Sequence, residues 1–284
     1  SNLMINKDDI YLEDNKVRIK QDNYYNNEIR DFFNYYQDNF SWGFGGRETT
    51  EYFEKGLSLF NMELNELITK NILIDLKERH IGDWNKVILR EFLNARCFQF
   101  NKLSMICPIL ELVNHEVISL PFISHSDGIS TPSYPPINGE ITHNYNSKSS
   151  LNRFFHQGCF CKETIVYSFP FSIKFNNLGI NFICKGKELN GHTIKIDRFE
   201  NTITIEGLPI ADVNHSKLPG NYFDEVIRRI DDLTIPKDIF FKILELNISV
   251  RKNMLQESKL IDNEVSNIFS EIINYEINLI SSYN

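Results

Sequence analysis

The chain has 284 residues, 42% of them hydrophobic and 24% charged, the proportions of a globular protein with ample core rather than a disordered one. Its 38 acidic and 30 basic residues leave a formal net charge of −8, which speaks against a broad nucleic-acid surface. No apolar run approaches the roughly 20 residues that cross a bilayer as a helix, and no signal peptide is visible; a cytoplasmic protein with no membrane partner is expected.

Ser1-Asn2-Leu3 ahead of Met4 reads as an expression remnant and stays outside the fold reading. Asn27 to Phe40 carries Ile29, Phe32, Phe33, Tyr36 and Phe40 on one stripe, the spacing of an amphipathic helix. The glycine cluster SWGFGGRETT follows, then EYFEKGLSLF, whose alternation and breaks predict a hairpin or two short strands. Residues 63 to 95 have a mostly helical pattern, with Val87, Leu89 and Phe92 apolar beside Arg90 and Glu91. LSMICPILEL predicts one or two short buried strands, and just beyond it stand Asn114 and His115, two hydrogen-bonding side chains at the end of an apolar segment. Residues 117 to 139 hold Pro121, Pro132, Pro135, Pro136, Gly128 and Gly139, and read as loop.

GEITHNY predicts a strand, and SSLNRFFHQG a short helix closed by Gly158. The next section is strand-rich, with HTIKI and NTITIEG alternating around a turn at Asp197 to Glu200. Pro236 sits where a helix starts, with Thr234 as its cap, and the pattern runs to about Ser258. Val265, Ile268, Phe269, Ile272, Leu279 and Ile280 stripe a last helix, with Asp262 as its cap. No internal repeat is evident. The change of texture near Phe169–Pro170 places a domain boundary there, giving 1–169 and 170–284.

Several chemistries lack their motifs. The sequence has no phosphate-cradling G-x-x-x-x-G-K, no nucleophile elbow and no H-E-x-x-H. The glycines at 43, 45 and 46 lack the strand-turn-helix setting of a dinucleotide turn. The seven histidines do not pair at helical ligand spacing with a carboxylate, so no metal is expected. Five cysteines, Cys97, Cys107, Cys159, Cys161 and Cys184, are an odd number without a C-x-x-C pair, and read as core thiols of a reducing compartment.

Four segments occur in an informative order. GFGGRETTEYFEKGLSLF (43–60) resembles the glycine-led hairpin that opens a SET domain, and ARCFQF (95–100) its S-R-A-F segment. CPILELVNHE (107–116) resembles P-L-x-D-x-x-N-H. GEITHNYNSKSSLNRFFHQGCF (139–160) resembles the closing run with its tyrosine, K-S-N and Y-G-F. The chain therefore resembles SET-domain methyltransferases, in the branch of the Rubisco large-subunit lysine and actin-histidine methyltransferases. The fold class this implies is α+β: a SET domain of short β-sheets with its pseudoknot, a short helical insert at about 61–95, and a C-terminal substrate-binding domain of strands and helices.

The resemblance also implies roles. Gly43, Gly45 and Gly46 would let backbone approach S-adenosylmethionine closely. Arg96 would face the carboxylate of that cofactor, Asn114 its amino-acid end, and His115 its adenine. Glu111 stands where the family has Asp, with the same charge on a longer arm. Tyr145, in the place of the family's tyrosine, would complete the cofactor pocket and orient the acceptor nitrogen as the catalytic residue. Phe98 and Gln157 would line the acceptor side.

The departures matter as well. Gln157 replaces a second tyrosine, Tyr145-Asn146 replaces Y-G, and Ser149-Ser150 replaces S-N. The insert is short for this branch, which opens the substrate groove. Cys159-Phe-Cys161 lacks the third cysteine of a zinc site. The expected activity is S-adenosylmethionine-dependent N-methylation of a protein or peptide side chain. Retained Phe98 favours lysine as acceptor, while the Gln157 position is closer to the histidine enzyme. Three alternatives stay open: an inactive SET-shaped binding module, histidine as acceptor, or a small molecule as acceptor.

Overall fold

The computed structural model describes residues 3–14, 16–21, 24–43, 89–90, 92–93, 95–131, 140–145, 148–157, 161–176, 179–189, 193–214, 218–229, 238–260 and 264–283, the side chains of 155–157, 229, 238, 264 and 265 excepted. The architecture is mixed α and β with small sheets. The described residues divide into two compact units. One takes 3–145 with 156 and 157; the other takes 148–155 and 161–283. Expectations for 44–88, the hairpin after the glycines and most of the insert included, lie outside the described residues.

In the first unit the chain opens with three short strands, β1 (Ile5–Asn6), β2 (Ile10–Glu13) and β3 (Lys16–Ile19), of which β2 and β3 form a hairpin. Helix α1 (Asn27–Asn39) follows, with the Asn26 side chain accepting the Ile29 N–H at 2.9 Å as its N-cap. The apolar stripe expected here is narrower in the fold. Phe33, Tyr36 and Gln37 are buried, whereas Phe32 is 38% and Phe40 54% exposed. Arg18 clamps β3 to α1 through a two-pronged bond to Asp38, at 2.9 and 2.8 Å.

Strands β4 (Cys97–Phe100) and β5 (Leu103–Ile106) turn tightly through Asn101 and Lys102, whose φ angles of +49° and +66° suit the right-handed twist of a two-residue hairpin. β1 adds to the far edge of β5. The core here gathers Ile5, Ile10, Val17, Ile19, Phe33, Trp42, Phe92, Leu93 and Ile106. Each such side chain, fully buried, contributes roughly 1.5–3 kcal/mol. The predicted apolar segment thus becomes β5 followed by a tight helical turn at Leu110–Leu112. The predicted loop carries a two-residue ladder between β7 (Ile123–Ser124) and β8 (Ile129–Ser130), which comes after β6 (Asn114–His115). Of GEITHNY, the described residues form the strand β9 (Thr142–His143) and a single bridge at Glu140.

The second unit begins with α2 (Ser150–Gln157), then β10 (Ile165–Tyr167), β11 (Phe171–Phe175) and β12 (Ile180–Cys184). β13 (Lys195–Phe199), β14 (Thr202–Glu206) and β15 (Pro209–Asp212) complete its strands. A four-stranded sheet runs β11-β12-β14-β13, antiparallel except for the β12–β14 pair. β14 matches the predicted strand NTITIEG, whereas β13 shares only Lys195 and Ile196 with HTIKI and runs on through Asp197–Phe199, expected as turn, which falls instead at Glu200–Asn201. Alternation buries Ile180, Phe182 and Cys184 of β12 and Ile203 and Ile205 of β14 on one face. Gly207, at φ +74°, turns the chain into β15; a Cβ there would lie 2.5 Å from the Thr193 carbonyl oxygen, so the turn requires glycine.

Helices α3 (Leu218–Arg229), α4 (Asp238–Ser258) and α5 (Glu264–Ser281) share one core with the sheet, through Phe223, Val226, Ile239, Ile243, Leu244 and Ile280. The last two helices match their expected spans. α3 was not foreseen; Pro219 stands in its first turn, where proline is tolerated because its missing N–H has no intrahelical partner. Inside this unit Arg251 and Glu276 are both buried. Arg251 Nε donates to Glu276 Oε2 at 2.9 Å, and the guanidinium also reaches Asn247 Oδ1 and the Tyr167 carbonyl. Glu276 Oε1 accepts the Leu151 N–H at 2.9 Å, and Glu188 accepts both the N–H and the hydroxyl of Ser149. Two acids thus satisfy donors at the start of α2, where the helix dipole favours negative charge. Among the described residues no helix is long and apolar enough to cross a membrane.

Candidate functional site

Asn114 and His115 become a site element through their partner. β6 pairs in parallel with β9, Asn114 opposite Thr142 and His115 opposite His143. A parallel pair needs a long crossover, and residues 116–141 supply it. Bonds along its edges hold the pair: Glu116 N–H to the His143 carbonyl at 3.0 Å, Asn144 Nδ2 to the Val117 carbonyl at 2.8 Å, and Ser119 to Thr142 between hydroxyls at 2.6 Å.

Tyr145, the next residue but one after β9, is tied back to the β6 segment at both ends. Its hydroxyl donates to the Val113 carbonyl at 2.9 Å, and its N–H donates to His115 Nδ1 at 3.1 Å. Because Nδ1 accepts, the proton of the neutral His115 ring sits on Nε2. A chain of aromatic rings extends from here. His115 and Tyr145 have ring centres 5.0 Å apart, and His143 and Tyr145 4.4 Å. Phe122 lies 3.5 Å from His143, and Phe98 of β4 lies 4.8 Å from Phe122. Phe98 therefore belongs to the same aromatic wall as Tyr145, with His143, almost wholly buried, between them.

A second group gathers on Glu111, in the tight turn before β6. Gln37 Nε2 of α1 donates to Glu111 Oε1 at 3.0 Å. Arg96 Nη1 stands 3.9 Å from Oε2 and bonds the Glu111 carbonyl at 3.5 Å, while its guanidinium lies over the Phe92 ring. Burial pushes the Glu111 carboxyl above its ordinary range; Arg96 opposes this most, then the Ser41 and Tyr36 hydroxyls and the Gln37 amide. Burial raises the Tyr36 phenol as well, with Glu111 adding to it. The Tyr36 hydroxyl accepts the Ile109 N–H at 2.9 Å. It thereby holds Ile109 at φ +73°, ψ −51°, an uncommon and strained conformation for a β-branched residue. Gly43 packs against the end of α1 so closely that a Cβ would lie 1.8 Å from the Asp38 carbonyl oxygen.

The expected site residues are thus only partly gathered. His115, Tyr145 and Phe98 share the aromatic wall, and Arg96 and Glu111 share a polar cluster. Asn114 is exposed, with Nδ2 donating to Glu140, so Arg96 and Asn114 take different acids. Gly45 and Gly46 lie outside the described residues, and Gln157 ends α2 with its side chain outside them. Sequence reasoning missed Gln37, Ser41, Tyr36 as a hydrogen-bonding group, and His143. For Gln37 a signal existed: it stands beside Tyr36 and one turn after Phe33 on the buried side of α1, where an apolar residue is the default. Among the described residues no group of three or more His, Cys, Asp or Glu is placed to hold a metal ion. No family model matches the chain, and neither the curated proteins nor the solved structures give a significant match.

Proposed function

We propose that the chain is a SET-type, S-adenosylmethionine-dependent N-methyltransferase with lysine of a protein or peptide as its acceptor. The observation that carries this reading is the meeting of two distant segments: the Asn114-His115 pair lies beside the strand that leads into Tyr145, and Tyr145 is bonded back to Val113 and His115. The four segments that resemble the family supply the same two elements in the same order. Arg96 and Glu111, of opposite charge and 3.9 Å apart, fit the two charges of the cofactor's amino-acid end.

The bound cofactor supplies a methyl group on a sulfonium. This chain's residues then have three tasks. Tyr145 orients the incoming nitrogen: its proton is committed to Val113, so its oxygen keeps lone pairs for an N–H or a polarised C–H. Phe98, Phe122 and His143 wall the approach and limit water, and desolvation favours the neutral amine that must attack. The loop around Glu111 holds the cofactor side in register, so that positioning supplies most of the acceleration.

The test is a calorimetric titration of the purified chain with S-adenosylmethionine, followed by a mass-resolved search of cell extract for a methylated protein. Heat of binding and a methylated lysine peptide are expected. A flat titration at millimolar cofactor rules the enzyme out and leaves the binding module, and a methylated histidine or metabolite instead moves the acceptor.

A further inference from the structure

Strand β13 forms one edge of the four-stranded sheet: in the order β11-β12-β14-β13 it comes last, and among the described residues it pairs with β14 alone. Every second residue of such a strand turns its N–H and C=O outward, a template for another strand. Lys195, Asp197, Arg198 and Phe199 are exposed, Phe199 at 76%. The core also reaches solvent here. Ile194 and Ile196 pack against the core that sheet and helices share in this unit, yet stay only partly buried. A protein commonly guards an edge with charges that repel an incoming strand. On β13 the charges have both signs, Lys195 and Arg198 on either side of Asp197, so they can satisfy one another.

A strand that pairs with a copy of itself about a two-fold axis runs antiparallel to it, with the axis perpendicular to the sheet. Opposite residues then lie on the same face, and the axis passes through a residue. Few registers are open to β13. Centring on Lys195, Asp197 or Arg198 sets like charges directly opposite each other, which destabilises a pair. Centring on Ile194 or Phe199 leaves at most one residue of β13 opposite its copy. Centring on Ile196 sets Ile196 against itself, Lys195 against Asp197 twice, Ile194 against Arg198 and Thr193 against Phe199. On the outer face Lys195 Nζ already stands 3.1 Å from Asp197 Oδ2 of its own chain, so two copies make a ring of alternating charges. On the core face Ile196, opposite Ile205, meets its equivalent and carries the apolar core across the axis. Phe199 gains a β-branched neighbour in the second copy's Thr193.

We propose that β13 is a self-pairing edge, through which two copies of this chain join antiparallel about Ile196 into one continuous sheet. The pairing holds whether or not the chain binds a cofactor. A strand pair this short buries little area, so the dimer is weak, with a Kd on the order of 10 μM.

Sedimentation velocity of the full chain, at concentrations spanning about 10-fold on either side of that value, tests this on the parent and on the Lys195→Glu and Asp197→Lys variants. The parent should pass from monomer to dimer across the range. Each variant sets like charges across the axis and should weaken association about 10-fold or more. Its Tm should stay at the parent's level, because both side chains lie mostly in solvent. An equimolar mixture of the two variants should dimerise about as well as the parent, since each reversed charge then faces an opposite one on the other chain. That rescue is specific to the register about Ile196. A parent that stays monomeric throughout overturns the proposal. So does a dimer that neither variant weakens, or a mixture that associates no better than its components alone.

Discussion

Arg251→Met should be among the most damaging single substitutions in the second unit. Arg251 is buried, stacks 4.1 Å from the Phe169 ring centre, and spends its donors on Glu276 Oε2, Asn247 Oδ1 and the Tyr167 carbonyl. Burial works against its charge, and Glu276 opposes that effect. Methionine fills much of the volume, so the cavity cost is small. What remains is a Glu276 carboxylate with no exposure, keeping the Leu151 N–H and losing its cation. Removing one partner of a buried pair costs about 3–5 kcal/mol, and the stranded Asn247 and Tyr167 oxygens add to it. For a chain of this size that corresponds to a fall in Tm of roughly 10 °C. Urea and thermal unfolding followed by circular dichroism measure it. Arg251→Met/Glu276→Leu should recover part of the loss, since an apolar pair replaces a buried ion pair at little cost, though the Leu151 N–H then lacks its acceptor. A single-variant loss below about 1 kcal/mol would show that the pair is not the core element described, and would refute the reasoning.

Three other outcomes are expected. Tyr145→Phe loses one bond to Val113, about 1 kcal/mol of stability, yet should cut methyl-transfer turnover about 10²-fold, on the order of 3 kcal/mol at the transition state, at unchanged cofactor affinity; radiometric turnover at the parent's level would remove this tyrosine from the mechanism. Glu188 sits on Ser149 with its carboxyl raised by burial. A raised folded-state value means stabilisation that is complete below the ordinary 4.5 and lost as pH climbs through the raised value; chemical denaturation from pH 4 to 8 should show this decline in the parent and a flatter profile in Glu188→Gln. Ile109→Gly should leave Tm unchanged or raised, because the side chain is exposed and the φ of +73° suits glycine, whereas a loss of more than about 1 kcal/mol would mean that the side chain packs in solution.

The two-helix end and the strand pair β13–β14 were legible from spacing, because a helix or hairpin places its apolar residues by a period that a short window contains. α1 was legible in its limits and less so in its face. Phe32 and Phe40 repeat at helical spacing, but burial there depends on what packs opposite, and Gln37 took a buried position instead. The β6–β9 pair was beyond local reading: each strand has two residues, too few for any period, and the pairing exists because the chain between them returns. The same holds for Glu111 with Gln37 and Ser41, and for Arg251 with Glu276, whose partners lie far off in sequence. The sequence by itself determined the elements with a long apolar repeat and the order of the four segments. Tertiary structure decided which polar groups share a buried space, because a polar residue's partner is chosen by proximity after collapse, when burial makes an unmatched group costly.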